Sequence, residues 1–346
     1  MNRIQLSALS QYRSQLMGFA ILIVILFHVG GMRHDTIAYC FCRCGNVGVD
    51  IFLFVSGIGI WHSWCRRPDL WTYLVRRCVR IYPAWIVIAC LYYIPLYCKG
   101  QLSGAYTIVE ILFNWGFWEH DELNFWYIPA IMMLYVMAPA YMHLIRRSPS
   151  YRWMPVMAIL ICLLLNYWSP FHHALGHLEI FFSRIPIFLI GINMGAWVKE
   201  GKSLENHSYG MLLMISGACI LACVNFENGL RYHFPLFLER MTYIPLTVTL
   251  SILLCQAFRH FPRWMNNASG FLGSISLELY LIHIGFIVRL IRPYHWSFWP
   301  TAIAVTVIST LLAWMLHMAI GQANTLLSAS WSHIQGKKQE ERKHEH

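Results

Sequence analysis

Ten apolar runs, at residues 14–33, 47–64, 81–98, 126–145, 153–168, 180–198, 210–225, 239–257, 268–290 and 299–320, divide this chain. A membrane-crossing helix needs roughly 17–25 predominantly apolar residues. Nothing else in the sequence narrows the fold as far. The chain is 58% hydrophobic and 12% charged, against roughly 45–50% and 25% in soluble domains. The reading is an all-α, polytopic membrane bundle of about ten transmembrane helices, within a range of nine to eleven because several runs are short or contain proline.

Basic residues accumulate on the cytoplasmic side of membrane proteins. With the N-terminus inside, 18 of the 26 Lys and Arg fall on the inner side, and both termini are expected in the cytoplasm. Asp and Glu run the other way, so the net charge of +10 belongs to one membrane face and DNA binding is not expected. Residues 1–13 are polar and no small-residue cleavage pattern follows the first run, so no cleavable signal peptide is expected. Every connecting segment is short. Residues 1–325 therefore read as one integral-membrane domain and 326–346 as a charged cytoplasmic tail, disordered or frayed. The longest outer loop contains an apolar and aromatic stretch, Ile108 to Trp118, too short to span, that reads as an interfacial or re-entrant helix or as an aromatic belt.

His28 lies near the outer end of the first run. An ionisable ring in hydrocarbon loses hydration that lipid does not replace, so it marks either a functional site or a packing hydrogen bond. Asp50, at the outer start of the second run, falls at a similar depth, and a carboxylate there would orient and activate the imidazole. In the ninth run, Ser276, Tyr280 and His283 share one helix face and Glu278 points almost oppositely, so this helix must face the bundle or a cavity. Arg76, Arg77 and Arg80 share a helix face at the inner rim. Guanidinium forks match phosphate oxygens, so the cluster reads as a polyanion seat or as a plain positive-inside anchor. Pro83 is expected to stop or kink that helix. Cys40, Cys42 and Cys44 lack the spacing of zinc sites; a disulfide is possible there, no metal is expected, and most other cysteines read as apolar filler.

Taken together, these segments resemble acyltransferase family 3, integral-membrane enzymes that move acyl groups, usually acetyl, from coenzyme A to sugars or polymers. ILIVILFH, ending at His28, resembles the first-helix motif with the catalytic histidine proposed for the family. GVDIFLFVSG around Asp50 resembles the second-helix signature, and RCVRIYP from Arg77 resembles the R-x-x-R-I-x-P element implicated in the acyl donor. SLELYLIH, ending at His283, resembles the late S-Y-x-L-Y-L-x-H motif. WYIPAIMMLYVMAP, with Trp126, Tyr127 and Tyr135, is similar to the branch that includes the enterobacterial common-antigen acetyltransferase. Met17 stands where the family commonly has arginine, with Arg13 one turn earlier as its substitute. Ile131 stands where a related branch has glutamate, which leaves Asp50 and then Glu278 as acid partners.

The resemblance implies a multi-pass acyltransferase of a bacterial cytoplasmic membrane. Acetyl-CoA or another acyl-CoA is then the donor, with no permanently bound cofactor, and a glycan or lipid-linked sugar is the acceptor. His28 and Asp50 are the catalytic expectation; Arg76, Arg77 and Arg80 the donor site; and Arg13, Trp126, Tyr127, Tyr135, Ser276, Glu278, Tyr280 and His283 the supporting or channel-lining set. The rival reading is a transporter or flippase in which His28, Asp50, Glu278 and His283 form a proton relay. A third, a structural membrane subunit, leaves those four residues unexplained.

Overall fold

The computed structural model describes residues 3–29, 37–227 and 236–344, the stretches 37–38 and 326–344 as backbone only. Helix accounts for nearly all of it. The principal helices are α1 (Arg13–His28), α2 (Val47–Arg66), α3 (Leu70–Cys98), α4 (Gly104–Phe113), α5 (Gly116–His120), α6 (Tyr127–Arg147), α7 (Met154–Tyr167), α8 (Ile185–Lys199), α9 (Ser208–Asn225), α10 (Leu236–His260), α11 (Arg263–Ser274), α12 (Ser276–Ile282), α13 (Val288–Ile291) and α14 (Phe298–His344). A two-stranded antiparallel ribbon, β1 (Ile4–Gln5) with β2 (Ser203–Leu204), ties the N-terminal segment to the end of α8.

In their described residues, the ten apolar runs are occupied mainly by helix. Among the described residues eight helical segments are long and apolar enough to cross a membrane, or nine if α11 and the Ser276–Tyr294 segment, bent by 63°, form one span. The remaining run is α1, only 16 residues long. At a rise of 1.5 Å per residue it extends roughly 24 Å, short of a hydrocarbon layer of about 30 Å. His28, its last residue, is partly buried.

The centre of the bundle is α2, buried along most of its length. Its approach to α8 depends on missing side chains: a Cβ at Gly57 would lie 2.5 Å from the Phe188 carbonyl oxygen, and one at Gly191 would lie 2.3 Å from that of Phe54. In lipid, where apolar side chains gain little by leaving their solvent, such small-residue contacts let backbones pack closely and hold helices together. A second close crossing joins α1 to α11, where a Cβ at Gly18 would meet the Ser269 backbone and one at Gly273 the Ser14 backbone. By contrast α7, α9 and α14 are mostly unburied and present Leu, Met, Ile and Val outward, as lipid-facing helices do.

Three sequence expectations change. The α3 helix runs unbroken from Leu70 to Cys98 with Pro83 and Pro95 inside it, so Pro83 does not end the helix. Neighbouring helices tolerate a proline in a spanning helix by re-satisfying the freed carbonyl. Asp69 caps its start, accepting from the Thr72 N–H at 2.7 Å, and the Thr72 bonds hold this carboxyl below its ordinary range. The aromatic loop, expected as one stretch over Ile108–Trp118, is two short helices, α4 and α5, broken at Asn114 with φ 48°. α4 buries Thr107 and Glu110 and exposes Ile108, Leu112 and Phe113, the division of a helix lying at an interface. The tail, expected disordered or frayed, continues α14 as helical backbone to His344.

Candidate functional site

His28 ends α1 and His283 follows directly on α12, in a single π-turn spanning His283–Ile287. Such turns often mark functional positions, because the inserted residue re-aims the side chains around it. The two rings meet: Nε2 of His283 is 3.2 Å from Nδ1 of His28. His283 is fully buried, whereas His28 keeps part of its surface accessible.

The hydrogen bonds assign the ring protons. His283 Nδ1 donates to the Leu279 carbonyl at 2.8 Å, and a carbonyl can only accept. In the neutral ring, Nε2 of His283 then carries the lone pair, so the proton between the two rings belongs to His28 Nδ1. The Val24 carbonyl one turn earlier also bonds the His28 ring. What remains is Nε2 of His28, unprotonated and available as a base. Phe27 and Tyr280 wall the pair edge-on, and Tyr127 in turn meets Tyr280 edge-on.

Tyr280, which meets His283 edge-on, lines a narrow cavity between α1, α2, α3, α6 and α12; neither histidine does, and the cavity measures about 50 Å³. That is room for roughly four waters. Arg80 and Met17 line one part and Val24 and Tyr280 another, with Ile131, Tyr135 and Ser276 between. Met17 and Ile131, where an arginine and a glutamate were the family expectation, are thus both wall residues and make the passage apolar. Met17 and His28 stand eleven residues apart on one helix, roughly 16 Å of rise.

A second, polar cavity of about 330 Å³ is lined by Arg13, Arg66, Arg76 and Arg77 together with His62, on turns of α2 and α3 next to those that give Ser56 and Arg80 to the first. Arg13 lies against α2, its guanidinium 3.2 to 3.3 Å from where a Gly59 Cβ would stand, and close enough to Arg77 and Arg80 for their charges to repel it. Arg77 stacks over Tyr73 and Tyr135, at 5.3 and 5.5 Å from the ring centroids. Nε of both Arg13 and Arg77 is buried without a partner. Among the described residues the ion pairs of arginine go to Arg43, Arg184 and Arg240, and none to this cluster. Like charges crowded together with spare donors are costly unless an anion joins them.

The acid partners fall elsewhere. Asp50 is fully buried but is bonded to Arg184, not to His28. The expected Asp50–His28 pair is therefore corrected: a buried carboxylate goes to the nearest cation able to neutralise it, and His28 takes an imidazole partner instead. Glu278 points away from the His283 face, as helix geometry requires, and pairs with His317 of α14 at 2.7 Å. The four residues of the proposed relay are thereby split into three separate pairs. Trp126 is buried beside Phe117 and Tyr127, supporting the wall rather than opening onto it. Cys40, Cys42 and Cys44 are free thiols, with Cys44 hydrogen-bonded to Cys223.

Sequence reasoning did not find Arg184, His62 or His317, and it placed Arg66 in the basic segment of the inner rim without assigning it to the donor site. A lone arginine opening an apolar run was the available sign for Arg184, since it needs a buried acid; His62 and Arg66 lie at the inner end of a span and look like ordinary rim residues until α1 folds against them.

Comparison with known proteins agrees in kind. Residues 16–318 match a family model described as an acyltransferase domain. Over 122 residues, 30% of the chain, it is 26% identical to the regulator of hypoxia-inducible factor 1 of Caenorhabditis elegans. The match covers 24% of that relative's length. No solved structure matches the chain.

Proposed function

We propose, from the premise that this chain belongs to acyltransferase family 3 and is a multi-pass membrane acyltransferase, that it carries an acetyl group from cytosolic acetyl-CoA to a hydroxyl of a cell-surface or lipid-linked glycan. The observation that supports this reading is a cavity lined at one part by Val24 and Tyr280, neighbours of the His28–His283 pair, and at another by Arg80, close to arginines without ion-pair partners.

In this mechanism the phosphates of coenzyme A sit among Arg13, Arg66, Arg76 and Arg77, whose forks bind oxyanions bidentately. Arg80 marks the entrance to the passage, and the extended pantetheine arm covers the roughly 16 Å to His28. Displacing the flexible Met17 side chain widens the way. Nε2 of His28 removes the proton of the acceptor hydroxyl as its oxygen attacks the thioester carbon; the C–S bond breaks, and the proton passes to the departing thiolate. His283 accepts from Nδ1 throughout and steadies the charge that develops on the His28 ring. The basic end faces the cytoplasm and the His28 end faces outward, in a bacterial cytoplasmic membrane.

The test is the purified chain in nanodiscs with labelled acetyl-CoA. Coenzyme A release, slow with water and faster with a glycan acceptor, should fall at least a hundredfold in His28→Ala, within the range ascribed to general-base catalysis, about 10² to 10⁴. Release unchanged in that variant refutes the mechanism.

A further inference from the structure

Beyond the His28–His283 pair, at the same end of the bundle, one arginine is held in an unusual way. Arg289 stands six residues past His283, at most about 9 Å further along the helix. Its Nη1 donates to the Tyr92 hydroxyl at 2.7 Å and its Nη2 to Asn124 Oδ1 at 2.5 Å. Asn124 Nδ2 in turn donates to the Tyr92 hydroxyl at 3.4 Å, and the guanidinium lies 5.2 Å from the Tyr92 ring centroid.

Both partners are neutral. Among the described residues Arg289 has no carboxylate in ion-pair range, so its charge is positioned but not cancelled. Of five guanidinium N–H groups two are used, leaving three on an exposed side chain. An exposed arginine ordinarily keeps its rotamer freedom; here two elements hold it.

The frame beneath it is rigid. Phe125, next to Asn124, is fully buried at φ 56° and packs on Tyr92 and Trp85 with ring centroids 5.2 and 5.5 Å apart. It also fills the space beside Gly285 in the π-turn, where a Cβ would stand 2.6 Å from the ring. A phenylalanine stays in the left-handed region only when its surroundings over-determine it. Asn124 is thus locked to the turn that carries His283, and the distance from Arg289 to the catalytic pair is set by the same packing.

We infer that Arg289, presented by Tyr92 and Asn124, binds an oxyanion of the acyl acceptor, and so selects acceptors carrying a carboxylate or phosphate over neutral sugars. The site rests on the acyltransferase reading only in calling its ligand the acceptor. An oxyanion there comes either from a soluble sugar acid or sugar phosphate, or from the phosphate of a lipid-linked sugar.

Binding decides the matter without any transfer step. Calorimetry of the chain in neutral-lipid nanodiscs, titrated with methyl glucuronide, glucose 1-phosphate and methyl glucoside, reads the soluble source; quenching of tryptophan by a nitroxide-labelled polyprenyl-phosphate sugar in the nanodisc reads the lipid source. At least one oxyanion probe should bind tenfold or more tightly than its neutral counterpart, a preference lost in Arg289→Gln and partly kept in Arg289→Lys, with both variants melting as the parent does. No preference in the parent, or a preference that survives Arg289→Gln, overturns the inference. Should His28→Ala leave coenzyme A release intact while the oxyanion preference holds, the mechanism fails and the site stands.

Discussion

His283 is the residue whose replacement most directly tests the proton assignment. In His283→Leu the His28 Nδ1–H loses its acceptor at 3.2 Å. A buried donor left unsatisfied costs about 1–3 kcal/mol, and each 1.4 kcal/mol is a factor of ten. Without other support the ring proton would shift to Nε2, and the base would be lost in all but roughly one molecule in five to one in 150. The Val24 carbonyl still accepts from the ring, which places the loss near the lower part of this range, at about tenfold in kcat. KM for acetyl-CoA should hold within about twofold, because Arg13 stands fifteen residues before His28 on the same helix, roughly 22 Å away. His283→Gln is the informative partner: its amide oxygen reaches about as far as Nε2 and restores an acceptor, so activity should recover most of that factor. Steady-state coenzyme A release in nanodiscs measures both variants. Equal kcat in parent and His283→Leu, or equal loss in Leu and Gln, would show that the imidazole pair does not set the tautomer.

Further outcomes follow from the same geometry. Arg77→Ala and Arg13→Ala should each raise KM for acetyl-CoA, by about tenfold or more if each removes one charge-assisted contact of roughly 1.5–3 kcal/mol, while kcat changes little; a kcat loss at constant KM would move these residues out of the donor site. Arg184→Ala leaves Asp50 a buried unpaired charge, an expected cost of about 3–5 kcal/mol in thermal or denaturant unfolding, whereas Asp50→Leu with Arg184→Met should recover much of it. If Asp50→Asn melts normally yet loses kcat, the carboxylate acts in catalysis and not as a structural clasp. Gly57→Val forces α2 from the Phe188 backbone and should lower the melting temperature in detergent, while Gly217→Val, where nothing stands within 4 Å, should not.

The all-α class and most of the spanning helices were legible because the membrane imposes a length and an apolar composition that eight helical segments meet by themselves. The opposed faces of Glu278 and His283 were legible too, since 3.6 residues per turn fixes them before any neighbour is known. Partners were not. Asp50 does not meet His28, because α2 packs on α8 through glycine contacts, and Arg184 at the start of α8 takes the carboxylate. The unbroken helix through Pro83 had the same origin: local preference argues for a break, and the packing around α3 overrides it.

The apolar runs with one ionisable ring near the end of the first determined by themselves that this chain is a membrane bundle with a costly histidine inside. Only the tertiary structure decided what that histidine touches. Side-chain direction along one helix follows from the helix alone, but which residue of another helix meets it depends on crossing points set by close backbone contacts distant in sequence. Those contacts gave His28 an imidazole partner, gathered Arg13 and Arg66 to the α3 arginines, and left a narrow cavity beside Arg80 and Tyr280.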